Sequence, residues 1–161
     1  MLEIYNKVLI VDLCDDHNHC IENAVTSARC YCHNNQIQFT PLREKVLRKV
    51  WESHKSVKAY DLINNLGSKN EPVNPPIVYR VLDFLLNIGL IHRIDSLNAF
   101  IGCKHPFEHE NCYLLICEKC AVVEESCSDK FTSEIDKISQ HRSFSPTHTV
   151  LEIHGYCAAC R

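Results

Sequence analysis

The fold is decided by residues 75–102, which read PPIVYRVLDFLLNIGLIHRIDSLNAFIG. Two prolines suit the first turn of a helix, and the apolar positions after them recur at helical spacing until Gly89 ends the pattern. Two short β-branched or aromatic runs, 90–94 and 99–101, then flank the turn-forming letters DSLN. The segment therefore predicts a helix over 75–87, followed by a two-stranded hairpin.

Two further amphipathic helices are predicted upstream of this segment. Thr40 and Pro41 form a helix start, with the threonine as N-cap and the proline at the first helical position, and apolar residues extend this helix to about Ser53. A second pattern covers 58–66 and is closed by Gly67. Three helices followed by a hairpin are typical of a winged helix-turn-helix, whose third helix enters the DNA major groove. The same elements also build small cores without a DNA partner.

Composition and charge favour a globular protein with a locally basic face. The chain has 161 residues, of which 45% are hydrophobic and 23% charged, so it has room for one ordinary domain or two small ones. The net charge is −3, but residues 36–95 hold nine basic and six acidic side chains. A positive middle between two acidic ends fits a phosphate-binding face, although ordinary variation in charge also produces such a difference. No apolar run approaches the roughly 18 residues that cross a bilayer.

Cysteine and histidine are unusually frequent, with 11 and 10 copies. The odd number of cysteines and the lack of a secretory signal in the opening residues argue against a disulfide framework and for reduced thiols. Enrichment of both residue types points to coordination of a soft metal ion. We therefore expect a cytoplasmic, metal-binding protein with no membrane partner.

The most specific signal is a pair of Cys-x-x-Cys motifs, formed by Cys117, Cys120, Cys157 and Cys160. Two thiolate pairs at this spacing supply the tetrahedral sulfur set that structural zinc prefers. A redox pair is the alternative, but a redox Cys-x-x-Cys usually stands alone in a βαβ setting. The predicted elements around the motifs form a small α+β domain with strands over 113–116, 121–125 and 147–154 and a helix over 130–141.

A second group of potential ligands surrounds the connection between the two halves of the chain: His92, Cys103, His105, His109 and Glu125. Imidazole, thiolate and carboxylate together make a tetrahedral zinc site, and the thiolate disfavours harder ions. A metal bound by ligands from both halves would fix how the halves sit relative to each other, as an allosteric switch requires. Any one of these residues taken alone is more often an ordinary surface residue.

Residues 39–161 resemble the ferric uptake regulator family, and most closely its zinc-responsive branch. The resemblance is carried, in family order, by FTPLREKVL (39–47), KAYDLI (58–63), PPIVYRVLDFLL (75–86), LIHRIDSLNAFIGC (90–103), LICEKCAVVEE (115–125) and HTVLEIHGYCAAC (148–160). It implies an α+β fold with an N-terminal winged helix-turn-helix and a small C-terminal α/β dimerisation domain. The implied division is an extension of unknown role (1–20), a DNA-binding domain (21–102) and a zinc-binding dimerisation domain (103–161).

The resemblance also implies a function. The family's members are metal-dependent repressors, so this chain is expected to bind a two-fold symmetric operator in double-stranded DNA as a homodimer and to control zinc uptake genes. A sensor of iron, manganese or peroxide is the alternative within the family, and the thiolate of Cys103 argues against it. No small-molecule substrate and no enzymatic activity are expected. A thiol oxidoreductase and a zinc deaminase are the enzymatic alternatives, but the sequence lacks the deaminase spacing of glutamate two residues after a histidine.

Two zinc ions per chain follow from the resemblance. It assigns the structural zinc to Cys117, Cys120, Cys157 and Cys160. It assigns a regulatory zinc to His92, Cys103, His109 and Glu125. The segment between Cys103 and Cys117 does not align cleanly with the family, so His105, Glu110 and Cys112 are alternatives to His109.

Three residues match positions at which the family contacts operator DNA: Tyr60, Tyr79 and Arg80. Arginine is suited to bidentate contact with a guanine edge, and tyrosine to contact with a base or a phosphate. Packing of Tyr60 against the helices is the competing interpretation. The chain departs from the family at Leu42, Ile77 and Ala121, where glutamine, threonine and glycine are common, and the change at Ile77 removes a possible phosphate or base contact.

Two ligand-rich features stay outside this assignment. His148 occupies a position that serves a further metal site in some relatives. Cys14, His17, His19 and Cys20 form a separate cluster, which is either an accessory metal site or part of a mobile N-terminus or the outer face of a first helix.

Overall fold

A computed structural model describes residues 17–67, 73–107, 112–147 and 149–161. The N-terminal half of the described chain consists of helices followed by a small sheet. In chain order its elements are α1 (His17–Asn34), α2 (Pro41–Val50), β1 (Val57–Lys58), α3 (Ala59–Leu66), α4 (Pro75–Asn87), β2 (Ile91–Ile94) and β3 (Ala99–Gly102). A single 3-10 turn, Asp95–Leu97, joins β2 to β3.

The start of α2 confirms the predicted helix cap. Pro41 occupies the first turn, and the backbone N–H of Arg43 donates to the Thr40 hydroxyl at 3.3 Å. The helix ends at Val50, about one turn earlier than the expected Ser53. The residue after it, Trp51, is only 8% exposed and lies against β3. The sequence pattern predicts that the helix continues through this residue, but in the structure the helix has ended and the indole ring packs into the core.

One face of α4 is buried in the helical core. Val78, Val81, Leu82 and Leu85 lie on this face, as the periodicity predicts, whereas Leu86 is only half-buried. The strands β2 and β3 pair antiparallel, and β1 joins the other edge of β3, so the sheet order is β1-β3-β2. Three helices and this antiparallel hairpin form the winged helix that the sequence predicts.

The C-terminal half is a second three-stranded sheet with one helix. Its elements are β4 (Cys112–Cys117), β5 (Val123–Cys127), α5 (Asp129–His141) and β6 (Glu152–Gly155). The order is β5-β4-β6, with β4 antiparallel to β5 and parallel to β6. The two sheets and five helices of the described chain together confirm an α+β fold.

A small apolar cluster joins the two halves. It combines residues of the hairpin with residues of the second sheet: Ile94, Ile101, Leu114, Ile116 and Val123. Two polar connections reinforce it. Lys55 forms a β-bridge with Val122, and the Glu152 carboxylate accepts hydrogen bonds from the backbone N–H groups of Asp95 (2.7 Å) and Ser96 (3.3 Å). The hairpin is therefore held directly against the second sheet.

A search of the described helices finds none that combines the length and the apolar character needed to span a membrane.

Candidate metal centres and DNA-facing surface

The four cysteines of the two Cys-x-x-Cys motifs come together at the ends of two parallel strands. Cys117 ends β4, and its register partner Gly155 ends β6, two residues before Cys157. The backbone of each motif then turns, with Ala121 N–H donating to the Cys117 carbonyl and Cys160 N–H donating to the Cys157 carbonyl, both at 2.9 Å. Ala121 takes a left-handed φ of 59°, which explains why glycine suits this position in the family.

The geometry of this cysteine set fits a tetrahedral metal ion. All four sulfurs lie within 4.8 Å of one another, and the Cys120 and Cys157 sulfurs are 3.7 Å apart. Two sulfurs at the usual Zn–S distance of about 2.3 Å from one tetrahedral ion are separated by about 3.8 Å. The observed spacing therefore matches what zinc requires.

The ionisation of these thiols also favours a cation. Backbone N–H groups of Cys157 and Cys120 lower the pKa of Cys117 to about 6. The neighbouring thiols have the opposite effect on Cys160, whose pKa rises to about 12, first through its contact with Cys157. Four adjacent thiols cannot all lose their protons without positive charge between them, and a divalent cation supplies that charge.

A second donor set lies where the two halves of the chain meet. His92 comes from β2, Cys103 follows β3, and Glu125 belongs to β5; one ligand atom from each lies within 4.8 Å of the others. His92 Nε2 and Glu125 Oε1 are 2.8 Å apart, and the Cys103 thiol donates to the same oxygen at 3.5 Å. The Lys104 backbone N–H donates to Glu125 Oε2 at 2.7 Å. The two sheets thus contribute ligands to one point.

Burial and neighbouring groups shift the pKa values of Cys103 and Glu125 in the second donor set. Burial, followed by the charge of Glu125, raises the pKa of the Cys103 thiol well above its ordinary value. Burial also opposes ionisation of Glu125, but the hydrogen bond and charge of His92 and the Lys104 N–H outweigh it and lower the pKa of Glu125. The carboxylate is therefore ionised at neutral pH, while the thiol keeps its proton until a cation displaces it.

Of the four candidates for a fourth ligand, the structure describes His105 and Cys112 only. His109 and Glu110 lie outside the described residues. The exposed His105 is not part of the donor set, although its backbone N–H faces the Cys103 sulfur. Cys112 lies beside Glu125 but is bonded to Cys127. The choice of His109 therefore stays a prediction.

The Cys112–Cys127 disulfide corrects the expectation that the cysteines are all reduced. The two residues are direct cross-strand partners at the start of β4 and the end of β5, which places their side chains next to each other. Sequence reasoning missed this pair because the odd cysteine count says nothing about neighbours created by strand pairing. The remaining described cysteines are not part of a disulfide.

The structure describes only part of the N-terminal ligand cluster and does not describe His148. Cys14 and His148 lie outside the described residues. His17, His19 and Cys20 lie in the first turn of α1, and the described residues give no three-ligand group there. The His17 ring instead contacts the His54 ring, with centroids 4.5 Å apart.

The three residues expected to contact DNA are all solvent-exposed. Tyr60 on α3 is 72% exposed and Tyr79 on α4 is 47% exposed, so Tyr60 does not pack into the core; Arg80 is exposed beside Tyr79. Tyr60 lies in the first turn of α3, where the helix dipole favours phosphate, whereas Tyr79 and Arg80 lie in the second turn of α4. Each of the three side chains is therefore accessible to a duplex.

Comparisons with known proteins agree with this architecture. The family model of the ferric uptake regulator family matches residues 34–154. The zinc uptake regulation protein of Escherichia coli (strain K12) is 33% identical over 141 residues, which cover 86% of this chain and 82% of the relative.

Solved structures extend the similarity to three dimensions. A zinc uptake regulator complexed with zinc and DNA has a TM-score of 0.81 at 31% identity, covering 86% of this chain and 93% of that one. Holo XcZur has a TM-score of 0.77 at 34% identity, covering 86% and 96%, whereas apo XcZur reaches 0.51 at the same identity, covering 87% and 97%. The described chain as a whole is thus more similar to holo XcZur than to apo XcZur.

The family model spans most of the chain, and the sequence relative and the solved structures agree with it. This chain belongs to the ferric uptake regulator family of transcription regulators.

Proposed function

We propose that this protein is a zinc-responsive, sequence-specific DNA-binding repressor of zinc uptake genes. The observation that carries the proposal is the meeting of His92, Cys103 and Glu125 between the two sheets. A ligand set shared by a DNA-facing half and a second half couples metal occupancy to their arrangement. The similarity to the zinc uptake regulation protein of Escherichia coli supports the same assignment.

The regulatory set selects zinc by its chemistry. Imidazole, thiolate and carboxylate suit a tetrahedral zinc ion, whereas the harder ions that iron and manganese sensors bind prefer nitrogen and oxygen donors alone. The buried thiol of Cys103 is therefore the residue that separates a zinc sensor from its iron, manganese and peroxide-sensing alternatives. We assign His109 as the fourth ligand.

The cysteine set of Cys117, Cys120, Cys157 and Cys160 completes a count of two zinc ions per chain in our proposal. It ties the β4–β5 turn to the end of β6, and thus to the chain terminus. Structural zinc sites contribute on the order of 10 kcal/mol to folding. Because the described second half buries few apolar residues, this contribution matters for its stability.

We propose that residues 21–102 form the DNA-binding domain. Its α4 presents Tyr79 and Arg80, and α3 presents Tyr60, on a surface free of the core contacts that hold the opposite faces of these helices. Arg80 is suited to a guanine edge in the major groove, and the tyrosines to bases or phosphates. Ile77, 44% exposed beside them, offers only an apolar contact.

We propose that residues 103–161 form the dimerisation domain. No residue of α5 is buried within the chain, although Phe131 is 45% exposed and Ile138 59% exposed on it. Apolar side chains left open on a helix indicate a protein interface. A two-fold dimer places two copies of α4 to read half-sites about 34–36 Å apart on a two-fold symmetric operator.

The remaining parts of the proposal follow from repression itself. A repressor acts where the chromosome is, so we assign the protein to the cytoplasm. It needs no small-molecule substrate, and we propose no enzymatic activity.

The test is metal analysis and DNA binding of the wild type beside Cys103→Ser. We expect the variant to lose about one zinc per chain, to stay folded, and to lose zinc-dependent DNA binding, because a hydroxyl is a poor replacement for a thiolate at zinc. Cys30→Ser, which changes an exposed free thiol outside both sets, is the matched control and is expected to behave as the wild type. A Cys103→Ser protein that keeps its full metal content would show that the regulatory assignment is wrong.

A further inference from the structure

A second group of ligands includes Glu125 and two cysteines that do not belong to the regulatory set. Cys127 follows Glu125 by two residues on β5, so both side chains lie on one face of the strand. Cys112 is the cross-strand partner of Cys127. The Cys112 and Cys127 sulfurs and a Glu125 carboxylate oxygen all lie within 4.8 Å of one another.

This group changes its chemistry with the oxidation state of the cysteines. In the structure the two sulfurs are joined as a disulfide and offer no thiolate. Reduction breaks the S–S bond and takes up two electrons and two protons, which a dithiol or phosphine reductant supplies as it is oxidised. The product is two thiols beside a buried carboxylate, and loss of their protons creates a soft donor set of the kind that binds zinc.

We propose that Cys112, Cys127 and Glu125 form a third zinc-binding set, which exists only when the disulfide is reduced and which shares Glu125 with the regulatory set. The proposal rests on the proposed function in one respect, because that function assigns Glu125 to the regulatory zinc. The disulfide does not involve His92 or Cys103, so the regulatory set remains available in the oxidised protein.

Charge balance supports two neighbouring ions around Glu125. The thiolates of Cys103, Cys112 and Cys127 together with the Glu125 carboxylate carry four negative charges, which two Zn²⁺ ions neutralise. The carboxylate has two oxygens, one facing His92 and Cys103 and the other facing the Lys104 N–H. A carboxylate can bridge two ions through its two oxygens, as in two-metal sites.

Solvent reaches this third set. Cys127 is exposed and Cys112 is half-buried. A cavity of about 750 Å³ between α1, the hairpin and the second sheet is lined by Cys112 together with His92 and Phe107. A reductant and a zinc ion can therefore approach the pair without unfolding of the second sheet.

The test compares zinc content in the two oxidation states. The full chain is loaded with zinc, treated either with a phosphine reductant or with oxidised glutathione, freed of loosely held metal, and analysed for zinc per chain. We expect about three zinc ions in the reduced protein and about two in the oxidised protein. The double variant Cys112→Ser/Cys127→Ser is expected to hold about two in both states, and Cys30→Ser to follow the wild type.

Glu125→Gln tests the sharing of the carboxylate. In the reduced protein it should lose about two zinc ions, whereas Cys103→Ser and the double cysteine variant should each lose about one. Cobalt substitution gives a second measurement, because the sulfur-to-cobalt absorption of the reduced wild type should exceed that of the double variant.

Three outcomes would overturn the third set. Equal zinc content of the reduced wild type and the double variant rules out a zinc ion on this cysteine pair. The reduced wild type could instead hold only about two zinc ions, and the double variant could lose one of them together with its zinc-dependent DNA binding. That result would assign Cys112 to the regulatory set. Loss of one zinc only in Glu125→Gln shows that the carboxylate is not shared. A different result would show that the proposed function is wrong: the oxidised Cys103→Ser protein would keep the same zinc content as the oxidised wild type.

Discussion

Glu125 is the residue through which the two halves of the molecule are chemically connected. Its side chain is only 3% exposed and belongs to the second sheet, yet its Oε1 lies beside His92 of the winged-helix half and the thiol of Cys103, which directly follows β3. A buried carboxylate is costly unless it is paired, and the Lys104 N–H and His92 provide that pairing here. In the proposed function, a cation bound here would displace the Cys103 thiol proton and join the two halves.

The raised pKa of the Cys103 thiol predicts a pH dependence of zinc binding. Because the thiol keeps its proton at neutral pH, binding at the regulatory set must release it, and binding should strengthen as pH rises. We expect the affinity to increase about tenfold per pH unit between about pH 7 and 8, measured by competition with a chelator of known pH dependence. Because Cys103→Ser is expected to lose the regulatory zinc, Cys30→Ser is the control and should keep the wild-type pH dependence. A wild-type affinity that is flat over the same range contradicts the assignment of Cys103.

Gly102 is a residue whose small size is required by packing. A Cβ atom added there would overlap three atoms of the Trp51 indole, whereas a Cβ added at Gly155 would meet nothing within 4 Å. We expect Gly102→Ala to lower the free energy of unfolding by about 1–3 kcal/mol, as overpacking does, and Gly155→Ala to have little effect. Denaturant unfolding followed by the fluorescence of Trp51, the only tryptophan, measures both. Equal stability of the two variants would show that the indole moves aside freely.

At the scale of the elements, strong local signals predicted the structure well. The Thr40 cap located the start of α2 and the two prolines located the start of α4, and α4 ends where its apolar pattern predicts. The sequence did not predict β1, which has two residues and exists because it pairs with β3. Pairings set by distant residues leave no local periodicity.

The sequence predicted the cysteine set but missed contacts between residues that are distant in the chain. The Cys-x-x-Cys motifs carry their own spacing, and the structure brings their four sulfurs together. The contact of Glu152 with the hairpin turn joins residues 57 positions apart, and the Cys112–Cys127 pair depends on strand register. No local pattern marks either, so only the folded chain reveals them.

The helix α4 makes the most specific prediction about DNA. Arg80→Ala should weaken binding to the operator by about 1–3 kcal/mol, because a bidentate contact with a base is lost, while leaving zinc content unchanged. Lys130→Ala removes an exposed charge on α5 and is the control. Binding of both variants to a cognate and a scrambled duplex at one salt concentration separates base contact from phosphate contact. An equal loss on both duplexes would assign Arg80 to the phosphates.

At the scale of the whole molecule, we propose that two zinc sets serve different purposes, one stability and the other control. In this proposal the cysteine set would hold β4, β5 and the chain terminus together, whereas the regulatory set would join the halves beside a five-residue apolar cluster. The chain is more similar to holo XcZur than to apo XcZur in its overall structure. Metal at the junction would stabilise this arrangement over others.

Loss of the structural zinc should act on one half only. In Cys157→Ser we expect β4, β5 and β6 to lose protection against hydrogen exchange, because a contribution on the order of 10 kcal/mol is removed. The helices α2 and α4 keep their own core and should stay protected. Loss of protection in both halves at once would show that the chain unfolds as a single unit.

The most direct test of the central claim is a DNA-binding titration against buffered free zinc. A duplex selected from random sequences in the presence of zinc is labelled, and its affinity is measured at fixed salt while zinc content per chain is followed in parallel. We predict that affinity stays low while the cysteine set alone is filled and then rises more than about a hundredfold as the His92–Cys103–Glu125 set fills. An affinity that is already maximal with this set empty would contradict the account.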